Sequence, residues 1–168
     1  MGNLVEYTLP ISGMKNGMHA FDYQVRDEFF SHFEHSLIQN ANVQLTVSLD
    51  KRPDLMILNF DFGGSVRTAC DRCLEDFDLP VSGQQVLMVK YDESTHDDEE
   101  VFYITRSTQE LDIAEFVYEF ISLALPMVKT HDDAGSSCNP EMLKYLNHTE
   151  ETDTGNPLRD VLKKISDN

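Results

Sequence analysis

Val43, Leu45, Val47 and Leu49 alternate with Gln44, Thr46, Ser48 and Asp50, the cleanest period-two run in the sequence. After Lys51, Arg52, Pro53 and Asp54, the stretch Leu55 to Phe62 places Met56, Leu58, Phe60 and Phe62 on one face. Alternation of this kind buries one side of a strand and wets the other. A short turn rich in Pro and Asp between two such runs makes a hairpin. Parallel pairing would need a crossover of about a dozen residues or more, so this segment commits the chain to an antiparallel sheet. Phe21, Tyr23 and Val25, alternating with Asp22, Gln24 and Arg26, predict an earlier strand. Gly63 and Gly64 are expected to break the run after Phe62, with a new extended piece over Ser65 to Ala69. A further strand is expected over Val86 to Tyr91, with Val101 to Thr105 as its partner.

Helices are fewer. Phe29, Phe30, Phe33 and Leu37 fall on one helical face behind Asp27 as a cap, which predicts a helix over about 27–38. The stronger signal runs from Asp112 to Leu125. Asp112 with Glu115 three residues on resembles a capping box, and Ile113, Phe116, Val117, Phe120, Ile121, Ala124 and Leu125 form a broad apolar stripe. Pro126 ends it, because the residue before a proline is pushed out of helical geometry. The expected fold is α+β: an antiparallel β-meander or partly open barrel, packed by the long helix at about 112–125 and the shorter one at about 27–38. Residues 1–146 are read as one such domain. Residues 147–168 are read as an irregular tail, a polar linker followed by a short amphipathic helix. In that tail Asn156 and Pro157 begin the helix, and Leu158, Val161, Leu162 and Ile165 recur at i, i+3, i+4 and i+7.

Charge narrows the function. Thirteen Lys and Arg against 30 Asp and Glu leave a net charge of −17 in 168 residues. Phosphate binding depends on clustered cations, so direct RNA binding is disfavoured. The cations available for it would be Arg67, Arg72, Arg106, Arg159, Lys163 and Lys164. The run Asp92, Glu93, Asp97, Asp98, Glu99 and Glu100 is read first as a solvated loop and second as a contact for a Lys/Arg-rich protein. No apolar run reaches the length of about 18 residues that spans a membrane. The absence of a signal peptide, with an odd number of cysteines, places the chain in the cytoplasm as an expectation.

Cys70-Asp71-Arg72-Cys73 is the most informative stretch. It lies between two extended segments, so it should form a tight turn whose two thiolates can hold one metal from the same side. A structural zinc needs four ligands. Cys138 is the third and last cysteine, and His131 stands seven residues before it. The candidate metal ligands are therefore Cys70, Cys73, His131 and Cys138, with a structural zinc as the implied cofactor. The alternative is that these are reduced thiols at a hairpin end. A redox role fits less well, because Asp71, Glu75 and Asp76 surround the pair with negative charge. His32 and His35 are read as surface or packing residues. No GxSxG, HExxH or P-loop is present, and no small-molecule substrate is implied.

Three pieces in order resemble the YceD family, the large ribosomal RNA subunit accumulation proteins. Cys70-Asp71-Arg72-Cys73-Leu74 resembles its CxRCL signature. The segment Leu111 to Pro126 is similar to its acidic-then-apolar helix ending in Leu-x-Leu-Pro. Asn156-Pro157-Leu158-Arg159-Asp160-Val161-Leu162 resembles its closing Asp-Pro-Arg-x-x-x-Leu element, with an Asn and a shifted Arg here. The likeness covers about residues 40–165. It implies a non-enzymatic role in accumulation of large-subunit ribosomal RNA, hence in ribosome assembly. It also implies a basic large-subunit ribosomal protein or a pre-ribosomal particle as partner, since family genes often neighbour that of a small basic zinc-ribbon protein. Many members carry a second cysteine pair after the helix, where this chain offers His131 and Cys138. The alternative from another class is a zinc- or thiol-dependent enzyme acting through the CxxC turn, and a third is a direct RNA-binding protein.

Overall fold

The computed structural model describes residues 4–34, 36, 38, 40–92 and 101–146. The strands and helices, in chain order, are β1 (Thr8–Leu9), β2 (Gly17–Arg26), α1 (Asp27–Phe30), β3 (Asn40–Lys51), β4 (Leu55–Ala69), β5 (Asp76–Tyr91), β6 (Val101–Ile104), β7 (Leu111–Asp112), α2 (Ala114–Leu123) and α3 (Pro140–Leu146). Five strands form one sheet in the order β2-β3-β4-β5-β6, and β1 pairs with β7 beside it. The fold is α+β, with a mostly antiparallel open sheet; among the described residues no barrel closes.

The hairpin read from alternation is present in register, with Val47 opposite Phe60 and Leu49 opposite Leu58. Val43, Leu45, Val47, Leu49, Met56, Leu58 and Phe60 are all buried on one face. Onto that face α2 lays Ala114, Val117 and Ile121, and the Phe120 ring meets Phe60 edge-on at 5.1 Å. Tyr118 stacks on Phe33 at 4.1 Å, while Tyr7 contacts both Tyr23 and Phe29, closing the core at the N-terminal end. No described helix is long and apolar enough to cross a membrane.

Some expectations are corrected. The predicted break at Gly63 and Gly64 is absent, since β4 runs through both as a continuous strand. Gly64 is instead a point of close approach: a Cβ there would lie 2.1 Å from the Asn42 carbonyl oxygen and 2.7 Å from Val43 Cα. Strand β5 begins ten residues before Val86 and passes through Pro80. Its partner β6 joins only from Met88, so at Pro80 the missing N–H costs no ladder bond on that side. Strand β6 does pair with β5, but in parallel, Met88 opposite Val101 and Tyr91 opposite Ile104. The meander is therefore antiparallel only through β5.

The helix expected over 27–38 is one turn, Asp27–Phe30. Beyond it, Ser31 Oγ donates to the Glu28 carbonyl at 2.7 Å and the His32 ring approaches the same oxygen at 2.8 Å. Side chains that occupy backbone carbonyls compete with helix propagation. Backbone bonds then shorten to i→i+3, His32 to Phe29 and Phe33 to Phe30. Helix α2 ends at Leu123, just short of the expected 125, with Leu125 N–H already turned to Ser122. The acidic run from Glu93 to Glu100 and the proposed tail helix lie outside the described residues, as do His35, Leu37, Arg159, Lys163 and Lys164.

Candidate metal centre

The turn between β4 and β5 is built by its own backbone. Cys70 N–H donates to the Glu75 carbonyl and Leu74 N–H to the Cys70 carbonyl, both at 2.9 Å. Arg72 N–H points at Cys70 Sγ, 3.4 Å away. Such amide-to-sulfur bonds favour a thiolate on the inside of the turn. Facing it is a single 3-10 turn, His131–Ala134. Thr130 and Asp133 cap that turn reciprocally, and Gly135 leaves it with φ of 65°. A Thr-x-x-Asp spacing was the available signal for this cap, and the sequence reading passed over it.

All four predicted ligand residues meet here. Cys70 and Cys138 bring their sulfurs to 3.7 Å, and Cys73 Sγ lies 3.4 Å from His131 Nδ1. The four donor atoms all fall within 4.8 Å of one another, and all four residues are buried. A tetrahedral zinc with metal–sulfur bonds of about 2.3 Å and a metal–nitrogen bond of about 2.0–2.1 Å has edges of about 3.8 Å and 3.6 Å. The Cys70–Cys138 and Cys73–His131 separations are close to those edges. The Phe77 ring lies against the His131 imidazole at 4.6 Å between centroids, fixing its plane.

Outside the donors, a second layer of bonds locks the two halves together. Asp71 N–H donates to the Lys129 carbonyl at 2.8 Å, and Asp71 Oδ2 accepts from Lys129 N–H at 2.7 Å. Arg72 reaches Asp132 at 2.9 Å, and Asn139 reaches Glu75 at 2.5 Å. These residues are separated by about sixty positions in the chain, so the clasp is long-range. Asp71, Arg72 and Glu75 thus serve the docking of the 129–139 segment.

The electrostatics of the cluster set its thiols apart. Burial alone would raise the Cys70 thiol, but N–H groups of Cys73 and Arg72 and the His131 side chain bring it down to about 6. Cys138 goes the other way, raised by burial and by its bonds to Cys70 and Cys73. Two adjacent thiolates cannot both be stable in a buried site without positive charge between them. The acidic neighbours Asp71, Glu75 and Asp76 do not set the Cys70 thiol, because backbone amides reach its sulfur and Asp71 is turned to Lys129.

The described arginines among the candidate RNA-binding cations are each ion-paired: Arg67 with Asp78 at 3.3 Å, Arg72 with Asp132, and Arg106 with Asp54 at 3.1 Å. A family model described as large ribosomal RNA subunit accumulation protein YceD matches residues 58–166. The matched span holds the CxxC turn, α2, His131 and Cys138. No curated protein and no solved structure matches the chain.

Proposed function

The chain belongs to the YceD family of large ribosomal RNA subunit accumulation proteins, and from that membership we propose a non-enzymatic ribosome-assembly factor. It supports accumulation of large-subunit ribosomal RNA by holding a basic ribosomal protein or a pre-ribosomal particle in the cytoplasm. The observation that carries the binding role over an enzymatic one is the completeness of the Cys70, Cys73, His131 and Cys138 cluster. A catalytic zinc keeps one position open for water or substrate, whereas a structural zinc is closed by four protein donors. Three sulfurs and one imidazole suit zinc as the ion. Held there, it supplies a cross-link between the β4–β5 turn and the 131–138 segment.

Charge supports the choice of partner. A chain at −17 attracts a cationic protein over long range, mainly through a faster encounter. The same field repels bare RNA. The test is a titration of the purified, zinc-loaded chain against individually purified basic large-subunit proteins, at salt from roughly 50 to 300 mM. The expected result is binding to at least one of them that weakens steeply with salt, with little binding to a large-subunit RNA transcript. Tight binding to the transcript, or no ribosomal protein bound at the lowest salt, would overturn the proposal.

A further inference from the structure

The four donors of the metal centre come in two pairs. Cys73 Sγ faces the ring of His131, 3.4 Å from Nδ1, while Cys70 Sγ faces Cys138 Sγ at 3.7 Å. The second contact is within about 1.7 Å of a covalent S–S bond, whose length is about 2.0 Å. This pair is not the CxxC of the turn. Cys70 follows β4, and Cys138 lies between the 3-10 turn and α3, so the contact joins the same two parts of the chain that a metal would join.

Access to the sulfurs follows from how the 129–139 segment is held. Its ties to the turn, Arg72 to Asp132, Asp71 to Lys129 and Asn139 to Glu75, lie among exposed groups. Exposed ion pairs contribute little to stability, and solvent-exposed bonds of this kind open locally more readily than a buried sheet does. Cys138 is the least buried of the three cysteines, 7% exposed against 0% for Cys70 and 1% for Cys73. A small oxidant reaches the site from that edge.

We propose that Cys70 and Cys138 form a disulfide when the site meets a hydroperoxide, so that the clasp is closed by metal in the reduced protein and by a covalent bond in the oxidised one. With hydrogen peroxide, the first sulfur attacks one oxygen, the O–O bond breaks, and the sulfur becomes a sulfenic acid as water leaves. The second sulfur then displaces the hydroxyl as another water, and the S–S bond forms. Two thiols lose two electrons and two protons, and the peroxide is reduced to two waters. Where zinc holds both sulfurs as thiolates, solvent supplies the two protons and the ion leaves, since Cys73 and His131 alone are two donors short of a structural site. A Cys70–Cys73 bond would have the opposite effect, lying within the turn and freeing the 131–138 segment. The long-range pair is favoured because Cys73 is turned to the imidazole. The pairing rests on this sulfur geometry and needs neither zinc nor the proposed partner.

The test treats the zinc-loaded chain with hydrogen peroxide, follows released zinc with a metal-sensitive dye, alkylates the remaining thiols and maps the peptides without reduction. The expected product is a link from Cys70 to Cys138 within one chain, with Cys73 alkylated and about one zinc released per link. The oxidised protein should melt within about 4 °C of the zinc-loaded one, because both closures span the same loop, and chelator should not move it. Cys73→Ala should form the same link. A Cys70–Cys73 link, a link between chains, three thiols still open to alkylation after peroxide, or an oxidised protein that melts with the chelated one would overturn the inference and leave the proposed function standing. If the purified chain takes up no zinc, the same mapping on that protein separates the two: a Cys70–Cys138 link upholds the inference while the structural zinc falls, and its absence overturns both.

Discussion

Replacing Cys138 with serine removes one of the four donors without changing the size of the site. Its cost follows from what the cluster ties together. Cys70 and Cys138 are 68 residues apart in the chain and 3.7 Å apart in space. A cross-link closing a loop of that length removes unfolded-state entropy worth about 4 kcal/mol. The sheet keeps its own core, so Cys138→Ser should fold but lose about that much stability. For a chain of this size the loss corresponds to a melting temperature lower by about 8–16 °C. Thermal melts of zinc-loaded wild type and Cys138→Ser, each with and without chelator, provide the assay. Chelator should lower the wild type by nearly the same amount and leave the variant almost unmoved, because both perturbations remove one interaction. A variant within about 1 kcal/mol of wild type, the scale of an ordinary substitution, would refute the cross-link. Chelator acting equally on both proteins would refute it as well.

Adjacent glycines should respond oppositely: Gly64→Ala drives a Cβ into the β3 backbone and should cost about 3 kcal/mol or more. Gly63→Ala, whose nearest contact would be 4.0 Å away, should stay within about 1 kcal/mol, and denaturant melts that rank them together would contradict the close approach. Ile121→Ala, fully buried under the sheet, should cost about 3–4 kcal/mol, and Phe120→Ala, only half-buried, about 2 kcal/mol; the reverse order would mean that α2 is rotated. In the metal-free protein the Cys70 thiol lies at about 6, below its ordinary value near 9, so the folded state holds fewer protons than the unfolded one. Its stabilising contribution is complete above about pH 9 and is lost as pH falls through about 6. The melting difference between wild type and Cys70→Ala should shrink over that window, and a pH-independent difference would contradict the hydrogen-bonded thiolate.

Much of this fold is legible in the sequence because alternation is a local signal. The run Val43 to Phe62 reports its own burial, and the apolar stripe from Ile113 to Ile121 reports a helix face. What is not legible is long-range or negative. Nothing local says that β6 runs parallel to β5, since that depends on where the chain returns after Tyr91. The early end of α1 depends on Ser31 and His32 turning back to one carbonyl, against a pattern of phenylalanines that reads as helix. Gly63 and Gly64 look like punctuation, yet Gly64 is there because two strands approach closely. At the metal centre the four residue types and their spacing are readable, and the structure brings them together. The backbone amides that acidify Cys70 and the Asp71–Lys129 clasp are invisible without coordinates, because each depends on how the folded backbone is placed.

The proposed role requires a closed metal centre with no position left for substrate. X-ray absorption at the zinc edge of the purified chain tests it most directly. The predicted spectrum has about three sulfurs at about 2.3 Å, one nitrogen at about 2.0–2.1 Å and no oxygen shell, with about one zinc per chain. A zinc bound by fewer protein ligands with a water oxygen among them, or a purified protein that takes up no zinc, would contradict it.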